Sequence, residues 1–175
     1  MRELISTLLD LKMHETMGIE FIRNALWELT KEESILKGKT TCDFIANQLR
    51  GFIYELAAIY TLASNGCCIH PFAFVERTIG KCDGKCTIGD FMVLCCHDDE
   101  FRNKLRGKLP MIVQVKKSPS VNEKRDIPSQ ICGSITRVLM YPVGEIREIE
   151  DLDKIEFRIV FPNGEEVSLK PRKVE

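Results

Sequence analysis

The stretch from Cys42 to Ser64 constrains this fold more than any other part of the chain. It holds no proline, and Ile45, Leu49, Phe52, Ile53, Leu56, Ile59, Tyr60 and Ala63 fall on one side at ~100° per residue, which predicts a long amphipathic helix. Asn47, Arg50, Tyr54 and Thr61 fall on the other side, and Asn65-Gly66 supplies a left-handed stop. Glu55 does not join the polar group. It lies between Phe52 and Ile59, inside or at the border of the apolar face. A carboxylate there costs several kcal/mol unless it is paired or bound to a cation. The ordinary alternative is a rim glutamate that reaches solvent or meets a lysine.

Downstream, Cys67 to Val75 reads as a strand, followed by a turn-rich connection through Gly80, Asp83 and Gly84 and a second strand from Ile88 to Cys96. Residues His97 to Leu109 read as a loop with a short helical piece, and Pro110 opens a third strand, Met111 to Lys116. Three consecutive strands predict an antiparallel meander with Asp90 and Gln114 on neighbours, and Gly89 gives the backbone room at the bend. Ser118 to Pro128 reads as a flexible loop. Ser129 to Leu139 reads as a helix through Ile131, Ile135, Val138 and Leu139, stopped by Tyr141-Pro142-Val143-Gly144. Lys154 to Phe161 and Glu165 to Leu169, joined by Pro162-Asn163-Gly164, form a hairpin signature. Residues 2 to 36 are helical in pattern, with a break at Gly18. The division is therefore an N-terminal helical extension (1–41), suited to packing or to a homodimer contact, and an α/β core domain (42–175).

Residues i and i+2 of a strand share a face, so Gln114 and Lys116 project together, one offering a carbonyl oxygen and the other an ammonium. With Asp90 and Glu55 they supply oxygen ligands for a hard divalent cation and a positive charge for a reacting phosphate. The order Glu55, Gly89-Asp90, Gln114-Val115-Lys116 resembles the PD-(D/E)xK phosphodiesterase superfamily. Arg50-Gly51-Phe52-Ile53-Tyr54-Glu55 with Ala63-Ser64-Asn65-Gly66 is similar to the opening helix of its archaeal Holliday-junction resolvase branch, and the glutamine is similar to the Mrr-like branch. The resemblance covers roughly residues 42 to 141. It implies a restriction endonuclease-like core of helix, three-strand meander, helix and strand hairpin, and a Mg²⁺-dependent (or Mn²⁺-dependent) deoxyribonuclease. Its site would be Glu55, Asp90, Gln114 and Lys116, with Asp90 the principal metal ligand, Gln114 a second, Glu55 an outer one and Lys116 orienting water. The alternative on the same fold is a non-catalytic nucleic-acid-binding or assembly module.

The net charge is -1 over 175 residues, so the whole chain is not a polycation seeking nucleic acid. Its distribution is uneven, however. Between Phe101 and Arg125, Arg102, Lys104, Arg106, Lys108, Lys116, Lys117, Lys124 and Arg125 are opposed only by Glu123. Arg102, Lys104, Arg106, Lys108 and Lys117 are the expected DNA-backbone contacts; the bland reading is a solvated loop. No apolar run approaches the ~20 residues of a membrane span, which predicts no membrane partner and a cytoplasmic location.

The eight cysteines raise a third class, a zinc-dependent structural or regulatory protein using Cys82 and Cys86. Cys67-Cys68, Cys95-Cys96, His70 and His97 are nearby, but adjacent strand cysteines point to opposite faces, which makes poor zinc spacing. Buried apolar thiols are the expectation for Cys42, Cys67, Cys95 and Cys132, and a Cys82 to Cys86 disulfide is the oxidised alternative.

Overall fold

A six-stranded sheet with strands in sequential order organises the chain, and a single parallel pair interrupts its antiparallel run. The structure is a computed structural model and describes residues 23–31, 43–71, 89–125 and 135–172. Helix α1 (Asp43–Ser64) leads into strand β1 (Cys67–Pro71), which pairs antiparallel with β2 (Phe91–Cys96). A short helix α2 (Asp99–Lys104) turns the chain into β3 (Met111–Val115), antiparallel to β2. Helix α3 (Val121–Arg125) lies in the connection to β4 (Thr136–Val143), which runs parallel to β3. The 3-10 turn Ile149–Asp153 precedes the hairpin of β5 (Glu156–Val160) and β6 (Glu166–Leu169). The mixed α/β class expected from the sequence stands. A parallel pair needs a crossover of a dozen or more residues, and residues 116–135 supply it.

The stop after α1 follows its sequence. The Asn65 and Gly66 N–H groups donate to the carbonyls of Leu62 and Ala63, and Gly66 takes a φ of 75°, where a side chain would be strained. The helix is not two-sided, though. From Ile53 to Ala63 every residue except Glu55 is buried, including Tyr54 and Thr61, which the helical wheel put towards solvent. Asn47 alone of that polar group is exposed, and Arg50 is half-buried. The reason is tertiary. The sheet covers one side, while Ile146 donates its N–H to Tyr54 Oη, Tyr60 Oη donates to Asp153 Oδ1, and Arg23 pairs with the same carboxylate at 2.8 Å. Leu26, in the helical stretch 23–31, is fully buried in the same core cluster.

One helix expectation is corrected. Thr136 to Leu139, read as the end of a helix, belongs to β4, and Tyr141-Pro142-Val143 continues that strand instead of stopping a helix. Both faces of β4 are buried, with Val138 and Met140 in the main core and Leu139 and Tyr141 in a second cluster with Val160. Such a run is continuously apolar and loses the alternation that marks a half-exposed strand. Pro142 is tolerated because it lies past the end of the β3 ladder, which stops at Met140. The expected loop from Ser118 also contains α3, closed by a reciprocal box in which Ser120 N–H donates to Glu123 Oε2 and Glu123 N–H to Ser120 Oγ.

Candidate functional site

Where β2 begins, it parts from β3, and Asp90 fills the fork. Its N–H donates to the Val113 carbonyl at 2.6 Å, and its Oδ2 accepts the Val115 N–H at 2.6 Å, a donor that would otherwise face a departing strand. The close approach depends on Gly89, where a Cβ would sit 2.4 Å from the Val113 carbonyl oxygen. Asp90 is thereby fixed beside the backbone that joins Gln114 to Lys116.

Met111, Val113 and Val115 face α1, so alternation turns Gln114 to the other side of the sheet. There the Gln114 amide oxygen accepts a hydrogen bond from Nη2 of Arg137, a buried guanidinium on β4. Lys116 Nζ pairs with Glu123 Oε1 on α3. That contact first, and the Ser120 N–H second, hold the Glu123 carboxyl down at about 2 from its ordinary 4.5. Lys117 reaches Glu145 at 3.3 Å and lies 5.6 Å from the centre of the Tyr54 ring. The chain thus brings Asp90, Gln114, Lys116 and Lys117 to one end of β3. Glu55 is half-buried on the helix that covers the opposite face.

The donors are oxygen atoms, the type that a hard divalent cation takes. Asp90 fits that requirement, whereas the Glu55 carboxylate, expected as an outer ligand, comes from the face opposite Gln114 and does not share an ion with that amide. At Gln114 an ion would have to compete with the Arg137 guanidinium for the same oxygen. Asp83, Asp98 and Asp99 are the other acids that the order of the chain offers as ligands, and two of them do other work: Asp98 caps α2 by accepting the Phe101 N–H at 2.8 Å, which with Arg172 lowers its pKa, and Asp99 pairs with Arg102. Asp83 lies outside the described residues.

The basic strip sits elsewhere than the sequence order suggests. Arg102, Lys104, Arg106 and Lys108 lie between the end of β2 and the start of β3. They are therefore a strand length, about 17 Å, from Gln114 to Lys116. Arg102 pairs with Asp99, Lys104 with Glu100 at 3.1 Å, and Lys108 with Glu165 at 2.5 Å while stacking on Phe161. Arg102 and Arg106, with Asn103, Leu105, Gly107 and Leu109, line an open cavity of about 520 Å³.

Cys67, expected to be a buried thiol, forms a disulfide with Cys96 inside the core. Cys95, also expected to be buried, is half-buried on the other face with Cys68 and His97. Burial, then the neighbouring Cys95, pushes the Cys68 thiol up to about 11. Cys42, Cys82, Cys86 and Cys132 lie outside the described residues.

Sequence reasoning missed Arg137 and Glu123 as site residues, and it set the vicinal cysteines aside for their spacing. A charged residue inside the apolar run Ile135 to Tyr141 was the signal for Arg137, and Ser120-Val121-Asn122-Glu123 was a readable capping box. No family model matches the chain, nor does any curated protein or solved structure. Among the described residues no helix is long and apolar enough to cross a membrane.

Proposed function

We propose that this chain is a divalent-metal-dependent phosphodiesterase acting on DNA, of the PD-(D/E)xK type, with a restriction endonuclease-like core. The observation that carries the reading is the fork, where an acid held by backbone bonds on both sides adjoins an amide and an ammonium on the next strand. A helix, a three-strand antiparallel meander and a parallel fourth strand are compatible with that core.

In this reading Asp90 would be the principal ligand for Mg²⁺ or Mn²⁺ and Gln114 a second, while Glu55, on the helix that covers the opposite face, does not join them. An ion held by these residues would supply polarisation of a phosphate oxygen and a more acidic water. The Val115 N–H fixes the orientation of Asp90 Oδ2 in advance. Lys116 contributes positive charge near the attacking water and the developing phosphorane-like charge. It releases Glu123 when a phosphate replaces that partner. Arg137, paired with Gln114, is the second cation able to turn to phosphate.

The second reading, a non-catalytic DNA-binding or assembly module, is favoured by the Gln114–Arg137 and Lys116–Glu123 pairs, since both proposed catalytic side chains already have protein partners. A cleavage panel of four-way junction, duplex, flap and modified DNA with Mg²⁺, Mn²⁺ and EDTA decides between the two. Metal-dependent cleavage that is lost in Asp90→Asn supports the enzyme. DNA binding with no cleavage of any form, with either ion, supports the module.

A further inference from the structure

We propose that Cys68, Cys95 and His97 form a zinc site on the outer face of the β1–β2 pair, with the fourth position left to water or another ligand. It stands independently of the nuclease reading. In an antiparallel pair, two vicinal cysteine pairs in register make two couples, one on each face. Cys67 lies opposite Cys96 and Cys68 opposite Cys95. The inner couple is closed as a disulfide in the core. The outer couple is held at the same register, and His97, two residues past Cys95, returns to its face.

Local geometry tightens the group. The register shifts after Cys68, because Ile69 pairs with Val93 while Leu94 is left as an extra, exposed residue. A bulge of that kind bends the strand and re-aims the side chains that follow. The His97 N–H donates to the Gly66 carbonyl at 2.8 Å, which ties the residue to the end of α1. His97 Nε2 lies 3.2 Å from Cys68 Sγ, and the three donor atoms all fall within 4.8 Å of one another. Around a tetrahedral zinc, ligand atoms are roughly 3.5 to 3.8 Å apart, so small side-chain rotations complete the set.

The chemistry selects the ion. Two sulfurs and an imidazole nitrogen are soft to borderline donors that favour zinc over magnesium or calcium. Binding releases one proton from each thiol and leaves the imidazole neutral, so two thiolates balance the charge of Zn²⁺. No electron transfer is involved. Cys68 and Cys95 are half-buried and His97 is exposed, so the site can be filled from solvent after folding.

The test is metal analysis of the purified full chain, with X-ray absorption at the zinc edge and Co²⁺ titration of metal-depleted protein under reducing conditions. The expected result is one equivalent of metal, a shell with two sulfurs, and tetrahedral Co²⁺ absorption with sulfur charge transfer. Cys68→Ser, Cys95→Ser and His97→Ala should each lose at least about tenfold in affinity, whereas Cys82→Ser/Cys86→Ser should retain it. Any other sulfur count in the wild-type shell overturns the site, and that measurement needs no variant to fold. Metal uptake that survives Cys68→Ser/Cys95→Ser also overturns it. So does a Cys68–Cys95 disulfide, without metal, in protein alkylated at the moment of lysis.

Discussion

The two ends of β2 carry donor groups of opposite character, roughly 20 Å apart along six residues. At the start, Asp90, Gln114 and Lys116 offer oxygen and positive charge, and each has a protein partner: the Val115 N–H, Arg137 and Glu123. At the far end, Cys68, Cys95 and His97 offer sulfur and nitrogen, and the groups they meet are one another. A cluster already satisfied internally can act only by exchange, in which a substrate takes the place of a protein partner. A cluster of unlike protonatable donors gains most from a cation that replaces their protons. Residue types alone do not define a site; the partners already present decide what can bind.

The largest effect is expected at the fork. Asp90→Asn keeps an oxygen for the Val115 N–H but removes the charge, so metal-dependent cleavage should fall by about 100-fold or more with the melting temperature nearly unchanged. Asp90→Ala should lose the same activity and also about 1–3 kcal/mol of stability, because the buried-side donor has no acceptor. Cleavage rates beside thermal melts separate the two roles. Full activity in Asp90→Asn would reduce the fork to a structural device.

Next in size is the salt dependence of DNA binding. Of the four cations Arg102, Lys104, Arg106 and Lys108, three already face acids, Asp99, Glu100 and Glu165, so alanine at all four should lower the log–log salt slope by about one unit, not four. Lys117→Ala at the fork should lower it by at most about one. A duplex lying along β2 and β3 would meet both regions. If only Lys117 changes the slope, the DNA path avoids the sulfur end altogether.

Gln114→Glu should act more on stability than on metal binding. The new carboxylate would sit against the buried Arg137 guanidinium, a charge-assisted pair worth on the order of 1 kcal/mol over the amide. Mg²⁺ affinity should rise less than about tenfold, since the guanidinium and the ion compete for the same oxygens. Urea unfolding and Mg²⁺ titration measure the two changes. A large gain in Mg²⁺ affinity without added stability would show that Arg137 is no competitor.

Local signals made part of this fold legible. The Asn65-Gly66 stop, the meander and the Asn163-Gly164 hairpin follow from turn chemistry and short-range pattern, and Gly164 takes the positive φ of 85° that the hairpin turn uses. What failed depends on neighbours distant in sequence. Tyr54 and Thr61 look polar and exposed until residues 144–155 and the stretch 23–31 close over α1, and β4 loses its alternation because both its faces are covered. The candidate site divides in the same way. Asp90, Gln114 and Lys116 were visible as types at a spacing, whereas their partners Arg137 and Glu123 arrive from later elements. The opposite-face rule for adjacent cysteines was sound within one strand. It missed that a second vicinal pair in register supplies the partner on each face.

The smallest effect concerns the proton of Glu123. Its folded pKa of about 2 lies below the ordinary 4.5, so the Lys116 contact favours the folded state above the unfolded value and loses that contribution as pH falls from about 4.5 through about 2. The pair is exposed to solvent, so Lys116→Ala should leave melting at neutral pH almost unchanged. Its titration should nevertheless move: the Glu123 carboxyl signal, followed by NMR, should shift from an inflection near 2 towards 4.5 in Lys116→Ala. The backbone and hydroxyl of Ser120 should hold it somewhat below that limit, because they also favour the carboxylate. DNA supplies the decisive arm. Adding a non-cleavable duplex to the wild type should raise the Glu123 inflection if Lys116 leaves for a phosphate. An inflection that stays near 2 with DNA bound would mean that Lys116 remains with Glu123, and that the fork does not exchange its partners.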